Sequence, residues 1–214
     1  MSGIRTAKKE ATRKLILEHA YDQFMQVGYG KVTTSKVAKA AGIGEGTLFN
    51  YFHSKGDLFV SAMFGDTVIQ PYTLPDQSIH SIRELAAAIT SIIDYYLSKI
   101  KSVNKDLLKD FFSVVYGSQA SASTLTRSSL FKLDQFIISH IEQLLKSVME
   151  EADHDLVLQP ALTCIAACVT HQLSLYVLMD EYQYDDMLLA HQTGIEFVLQ
   201  GNLSIRSTHK ERGE

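Results

Sequence analysis

The sequence predicts an all-α protein, and three observations lead to this fold class. Long stretches carry apolar residues at helical spacing and are free of glycine and proline. The 214 residues include only 12 glycines and three prolines, too few for the many tight turns of a sandwich or barrel. A composition of 46% hydrophobic and 21% charged residues excludes a disordered chain and allows one or two sizeable cores.

The first predicted helix covers residues 7–27. The second is a short helix that ends at Ala41. In the first helix, apolar residues recur at three-four spacing, and Gly28 follows the predicted end. The hydroxyl residues 33–35 offer N-terminal caps for the second helix, and Gly42 ends it.

Two further helices complete the N-terminal region. Residues 45–52 predict a short third helix that buries Leu48 and Phe52. Ser54 and Asp57 form a Ser-x-x-Asp variant of the capping box, which predicts a fourth helix from residue 55 to residue 68.

A polar stretch flanked by Pro71 and Pro75 predicts the boundary between a small head and a larger helical body. We therefore expect a head at residues 1–53, a linking helix and connector at 54–76, a body at 77–203 and a polar tail at 204–214. Within the body, helical spacing recurs over residues 82–100, 106–116, 130–149, 161–179 and 185–199. The helix at 161–179 is apolar on nearly all sides, which indicates a central or interface helix.

The net charge of −4 conceals an asymmetry along the chain. Through Phe64 there are nine basic and five acidic residues, whereas the remainder carries 11 basic and 19 acidic residues. Because phosphates repel an acidic surface, only the head is expected to meet a polyanion.

The third predicted helix suggests what the head binds. A helix, a glycine turn and a second short helix are the layout of a helix-turn-helix, whose second helix enters the DNA major groove. With Leu48 and Phe52 inward, the outward residues can bond base edges, approach the backbone closely or press on thymine methyl groups. Phosphate contacts are expected at the starts of the neighbouring helices. The outward residues are Gly46, Thr47, Phe49, Asn50 and Tyr51, and the two helix starts carry Thr34 and Lys55. The alternative is a helical subdomain in which Phe49 and Tyr51 pack against the body.

The run from Val32 to Phe59, with the preceding Phe24-x-x-x-Gly28-Tyr29, closely resembles the DNA-binding signature of the TetR family of bacterial transcriptional regulators. The resemblance covers about 50 residues. It implies an all-helical homodimer with a three-helix operator-binding head, a linking fourth helix, a ligand-binding body and a dimer interface made by the last two helices. It also implies that the DNA contacts are Thr34, Glu45, Gly46, Thr47, Phe49, Asn50, Tyr51 and Lys55. The family's commonest residue at the Phe49 position is tyrosine, so a hydroxyl contact is absent here.

Aromatic and other residues of the body and linking helix predict an apolar ligand cavity, although such stripes form the core in most proteins. The residues are Met63, Tyr95, Tyr96, Phe111, Phe112, Tyr116, Phe136, His171 and Tyr176. Cys164, Cys168 and His171 share one helical face, a pattern that zinc or copper could use but that packing explains better. We predict no metal, no cofactor and no enzyme activity, since neither a phosphate loop nor a nucleophile elbow is present.

The sequence therefore predicts a ligand-responsive transcriptional regulator. We expect a repressor that binds a palindromic DNA operator as a homodimer and is released by a small apolar ligand. Two alternatives stay open: a regulator without a small-molecule ligand, and a protein interaction module that uses Phe49 and Tyr51. A cytoplasmic location without a membrane segment is expected, since no stretch reaches about 20 uninterrupted apolar residues and two cysteines form no disulfide framework.

Overall fold

A computed structural model describes residues 2–65, 72–73, 79–117, 121–149 and 157–200. Every regular element within these ranges is helical, which confirms the predicted all-α class. A π-helical turn, Ser61–Gly65, continues the helix Lys55–Val60, and a 3₁₀ turn, Ser98–Ser102, follows the helix Ile82–Leu97. The helices are α1 Ser2–Val27, α2 Thr34–Ala40, α3 Glu45–Phe49, α4 Lys55–Val60, α5 Ile82–Leu97, α6 Lys105–Tyr116, α7 Thr124–Val148, α8 Leu158–Leu178 and α9 Tyr184–Leu199.

The boundaries of α3, α4 and α7 differ from the predicted ones. α3 ends at Phe49 instead of residue 52, because the chain must leave the helix to bury Phe52 and to extend at Ser54, the cap of α4. The regular α-helix of α4 ends at Val60, and the last predicted residues, 66–68, lie outside the described residues. α7 begins six residues earlier than predicted, where Ser123 accepts a hydrogen bond from the Thr126 N–H at 3.3 Å.

The chain forms two compact units, and neither is continuous in sequence. The N-terminal unit comprises Met1–Ile69 and Val103–Lys132, and the C-terminal unit comprises Gln70–Ser102 and Leu133–Glu214. α6 and the first turns of α7 therefore belong with the head helices, an association that the predicted contiguous domains do not include.

An aromatic core holds the helices of the N-terminal unit together. Phe24 of α1 and Phe59 of α4 are fully buried and meet edge to face, with ring centroids 4.8 Å apart. Tyr29 packs on the Phe59 ring at 4.8 Å. Leu48 of α3 is also fully buried, so this short helix is fixed by one inward side chain and its flanking turn.

The core of the C-terminal unit is aliphatic and is built mainly by α5, α7, α8 and α9. Its buried residues include Leu85, Ile89, Ile92, Leu145, Ile165, Ile195 and Leu199. Apolar burial of this kind is the dominant favourable term in folding. The packing of α8 against α9 is close: a Cβ at Gly194 of α9 would lie 2.7 Å from the Sγ of Cys168.

Glycines follow the first two helices, as the sequence predicts. The backbone of both glycines adopts the left-handed conformation. Gly28 has φ of 79° and Gly42 has φ of 68°. The N–H of Gly28 donates to the carbonyl of Phe24 at 2.9 Å, which closes the last turn of α1.

Replacement of Gly28 by alanine is expected to destabilise the protein by about 1–2 kcal/mol, because an L side chain is strained at this φ. Gly30 is the matched control, since it lacks a positive φ and has open space around its Cα. Urea unfolding followed by circular dichroism measures both variants. Equal stability of Gly28→Ala and Gly30→Ala would contradict the assigned role.

Candidate nucleic-acid interface

The outward face of α3 presents side chains that can contact another molecule. Leu48 is fully buried beneath it, whereas Phe49 keeps 43% of its surface exposed. Gly46, Thr47 and Asn50 are also exposed, and Tyr51 is half-buried. The structure thus places the predicted contact residues of this helix and the following turn on one short segment, with Tyr51 less accessible than the others.

The beginnings of α2 and α3 are joined by a hydrogen bond between two predicted DNA contacts. The hydroxyl of Thr34 donates to the Glu45 carboxylate at 2.5 Å. Thr33 caps α2 by accepting from the N–H of Lys36 at 3.3 Å. The Glu45 carboxylate therefore holds the start of α3 next to the start of α2.

Lys55, the predicted phosphate contact, lies at the start of α4 and is half-buried. Its Nζ sits over the ring of Tyr29, 4.3 Å from the centroid, which is a cation–π arrangement. Burial lowers the pKa of Lys55 from its ordinary value, and the negative charge of Asp110 opposes this shift. The side chain is thus ordered by its own unit.

Sequence reasoning missed a polar cluster beside Lys55. The N–H of Asp57 donates to the hydroxyl of its cap, Ser54, at 3.0 Å, which is one half of the predicted capping box. The Asp57 carboxylate does not complete the box. Its Oδ1 instead accepts from the Ser123 N–H at 2.8 Å and the Thr126 hydroxyl at 2.6 Å. No local spacing links residues 57 and 126, so no sequence signal could have found this contact.

The residues of the predicted ligand cavity fall into both compact units. In the N-terminal unit, the ring centroids of Phe64 and Phe111 are 4.5 Å apart. The ring of Phe111 also contacts that of Phe112, which in turn contacts that of Tyr116. Tyr116 is 66% exposed. Met63 is buried in the same unit.

The C-terminal unit holds a second aromatic group, which we term the tyrosine cluster: Tyr72, Tyr95, Tyr96, Phe136 and His140. Tyr96 lies 5.0 Å from Tyr95 and 6.0 Å from Phe136, measured between ring centroids. Tyr72 and His140 were not predicted. The Tyr72 N–H donates to the Tyr96 hydroxyl oxygen at 3.1 Å, and the ring of His140 lies 4.5 Å from that of Phe136.

The other predicted residues of the C-terminal unit differ in how deeply they are buried. Tyr176 is buried and its ring meets that of Tyr184 at 5.7 Å, whereas His171 is exposed. Cys164 is exposed and Cys168 is half-buried. Across the described ranges, no group of three or more His, Cys, Asp or Glu residues is arranged to hold a metal ion.

α8 is the one described helix that is long and apolar enough to cross a membrane, by length and composition alone. Only 28% of its most apolar stretch is buried within the chain. Polar residues interrupt this stretch, so a criterion of about 20 uninterrupted apolar residues does not detect it. The apolar surface of α8 therefore extends beyond what one copy of the chain covers.

Comparison with known proteins assigns the N-terminal region. Residues 16–62 match the family described as bacterial regulatory proteins, TetR family. The HTH-type transcriptional regulator YhgD of Bacillus subtilis is 47% identical over 47 residues, which are 22% of this chain and 25% of YhgD. YdeS of the same organism, also an HTH-type transcriptional regulator, is 26% identical over 101 residues, 47% of this chain and 50% of YdeS. The chain thus spans at most about half the length of these relatives.

Solved structures share the fold over most of the chain at low sequence identity. A TetR-family transcriptional regulator from Mesorhizobium loti aligns with a TM-score of 0.57 and 12% identity, covering 89% of this chain and 96% of that protein. The regulator FadR from Bacillus subtilis, solved in complex with stearoyl-CoA, aligns with a TM-score of 0.54 and 16% identity, covering 88% and 98%. Residues 16–62, which contain the exposed helix α3, thus match the TetR family of bacterial regulatory proteins, and the rest of the chain shares its fold with solved structures.

Proposed function

We propose that this protein is a transcriptional repressor that binds a two-fold symmetric DNA operator as a homodimer and is released by a mostly apolar small molecule. The observation that carries DNA binding is the exposed face of α3. Phe49 is 43% exposed and stands beside exposed Thr47 and Asn50, while Leu48 anchors the helix from below. Side chains of these types bond base edges and contact thymine methyl groups in a major groove.

The charge distribution supports DNA as the partner of this face. The residues through Phe64 carry nine cations and five anions, whereas the rest of the chain is acidic. Arg5, Lys8 and Lys9 are exposed on α1 within the same unit. A protein partner that used Phe49 would not need this excess of cations, but a phosphate backbone does.

The proposal is tested by selection from a random pool of DNA duplexes, followed by affinity measurements at several salt concentrations. Two identical heads impose their symmetry on the site, so the enriched duplex is expected to contain two half-sites related by a dyad. The logarithm of the association constant is expected to fall linearly with the logarithm of salt concentration, by about 0.9 for each phosphate neutralised. Enrichment of no duplex would contradict DNA binding.

Substitutions are expected to separate base contacts from phosphate contacts. Thr47→Ala or Phe49→Ala should change base preference, at about 1–3 kcal/mol for each lost contact. Lys55→Gln should weaken binding to every duplex and reduce the salt slope by about one unit per head. Affinities for the selected duplex, its single-base variants and a scrambled duplex provide the measurement. Equal losses on selected and scrambled DNA for all three variants would refute these roles.

We place the homodimer interface on α8 and α9. Small or polar side chains occupy the exposed stripe of α8, at Cys164, Ala167 and Thr170, and allow another helix to approach closely. Leu189 and Phe197 of α9 are 66% and 78% exposed. The small side chains of α8 and the exposed apolar side chains of α9, on two helices in contact, fit pairing with the same surface of a second copy.

A charge in the middle of this stripe is expected to disrupt the dimer. Ala167→Glu would bury an unpaired carboxylate in each copy, which costs several kcal/mol, so the dimer dissociation constant should rise by at least about a hundredfold. Gln143→Glu, at an exposed position of α7, is the control for the added charge. Sedimentation equilibrium measures both. An Ala167→Glu protein that stays dimeric would contradict the interface.

The tyrosine cluster is the part of the C-terminal unit that we assign to the ligand. Its rings supply apolar surface, and Tyr95 is 43% exposed. The Nδ1 of His140 lies 2.9 Å from the Phe136 carbonyl oxygen, which can only accept, so Nδ1 carries a proton and Nε2 is left as the second polar atom of the ring. One imidazole and a few hydroxyls among aromatic rings suit a ligand with an apolar body and a single polar end.

Release of the selected duplex by stearate, stearoyl-CoA and coenzyme A tests this assignment. Stearoyl-CoA is included because FadR binds it. The apolar chain is expected to act, and Phe136→Ala should weaken the response about tenfold while duplex affinity changes less than about threefold. Phe112→Ala, in the aromatic group of the N-terminal unit, is the control. Release by coenzyme A alone, or a loss confined to Phe112→Ala, would contradict the assignment.

A further inference from the structure

Three polar contacts tie the first turn of α4 to residues 121–126, a segment that leads into α7 and that we term the α7 entry segment. The hydroxyl of Ser54 donates to the Ser121 carbonyl at 2.7 Å. The Asp57 carboxylate accepts from the Ser123 N–H at 2.8 Å and from the Thr126 hydroxyl at 2.6 Å. All of these residues belong to the N-terminal unit. The contacts connect two parts of the chain that are more than 60 residues apart.

Asp57 binds the segment as an ionised carboxylate. It is only 4% exposed, and burial opposes its ionisation. The hydrogen bonds from Thr126 and Ser123 outweigh that effect, so the pKa of Asp57 lies below its ordinary value. Its position at the start of α7 also places the negative charge against the positive end of that helix. The carboxylate therefore acts as a cap supplied to α7 from α4.

The packing around Gly56 leaves no room between α4 and the entry segment. A Cβ at this position would lie 2.5 Å from the Ser121 Oγ and 2.7–2.8 Å from its carbonyl carbon and oxygen. The carbonyl cannot rotate away as a side chain could, so a methyl group here must move one of the two backbones. The backbone of α4 thus rests directly on Ser121.

The same segment also holds the ring on which Lys55 lies. The hydroxyl of Tyr29 and the Oγ of Ser121 are 3.1 Å apart and share a hydrogen bond. The Nζ of Lys55 is 4.3 Å from the centroid of that ring. Ser121 accordingly contacts both the backbone that carries Lys55 and the aromatic ring beneath its ammonium group.

We propose that the α7 entry segment is a positioning element for Lys55, with Asp57 and Thr126 as positioning residues that set DNA affinity without touching DNA. The inference rests on the proposed DNA-binding function. Loss of the Asp57 contacts releases the start of α4 and the Tyr29 ring, and the ammonium group then loses its fixed position at the phosphate.

The first test uses Thr126→Val, which removes the hydroxyl with little change in shape and no change in charge. The probe is the duplex selected by the unaltered chain. Its affinity for the variant is expected to fall about fivefold to tenfold, and the salt slope by up to about one unit per head, because a phosphate contact is lost. Thr126→Ser retains the hydroxyl and should restore most of the affinity and slope. A normal slope in Thr126→Val would overturn the proposal.

The second test asks whether the effect passes through Lys55. In a Lys55→Gln background, Thr126→Val is expected to cause less than about a twofold further loss, because the contact it positions is already absent. An equal fold-loss in both backgrounds would overturn the proposal. Thermal unfolding of the four proteins identifies any variant that fails to fold. If Thr126→Val fails, Thr126→Ala takes its place, since it also removes the hydroxyl without a change in charge and alanine favours the helix.

The sign of the effect separates positioning from electrostatics. Asp57→Asn removes a negative charge from a DNA-binding unit, which by itself should strengthen binding, yet we expect about tenfold weaker binding. Asp22→Asn, at an exposed position of α1, is the charge-matched control and should bind the duplex as tightly as the unaltered chain or more tightly. Tighter binding by Asp57→Asn would overturn the inference.

If the unaltered chain enriches no duplex, DNA binding itself fails; if it binds and the variants match it, only the positioning role fails.

Discussion

The burial of Leu48 is the constraint on which the functional surface depends. α3 spans only Glu45–Phe49, and one fully buried leucine fixes it to the core of the N-terminal unit. Every other side chain of so short a helix must then point outward or sideways, and Phe49 is left 43% exposed. A large apolar side chain held in solvent by its neighbour is expensive unless a partner covers it. The same packing that stabilises the head therefore leaves Phe49 exposed on the face that we propose binds DNA.

Polar contacts in the N-terminal unit hold two pairs of helix beginnings together. Glu45 accepts the Thr34 hydroxyl and so joins the starts of α2 and α3. Asp57 accepts from Ser123 and Thr126 and so joins the starts of α4 and α7. Each carboxylate joins two helix beginnings: Glu45 accepts from a side-chain hydroxyl, and Asp57 accepts from a hydroxyl and from a backbone N–H at the start of α7. The residues that we propose as DNA contacts and the side chains that support them thus lie in a single compact unit.

The sequence predicts much of the head because its signals are local. Glycines at positions 28 and 42 do adopt positive φ, and the spacing of Leu48 and Phe52 identifies the inward side of α3. The carboxylate of Asp57 shows where local reasoning fails. A Ser-x-x-Asp pattern predicts a capping box, but the Asp57 carboxylate instead accepts from Ser123 and Thr126, donors that only the tertiary fold brings close. Most residues of the predicted cavity likewise share an aromatic character, which does not indicate the compact unit that each side chain joins.

The central claim is that the outward face of α3 reads DNA, and a crystal structure of the chain bound to its selected duplex tests it most directly. The account predicts two copies related by a dyad, with α3 in successive major grooves and Thr47, Phe49 and Asn50 against base edges. Lys55 should lie at a phosphate, with the Asp57 carboxylate still bonded to Ser123 and Thr126. A complex in which α3 faces solvent or another protein chain, with the duplex held elsewhere, would contradict the account.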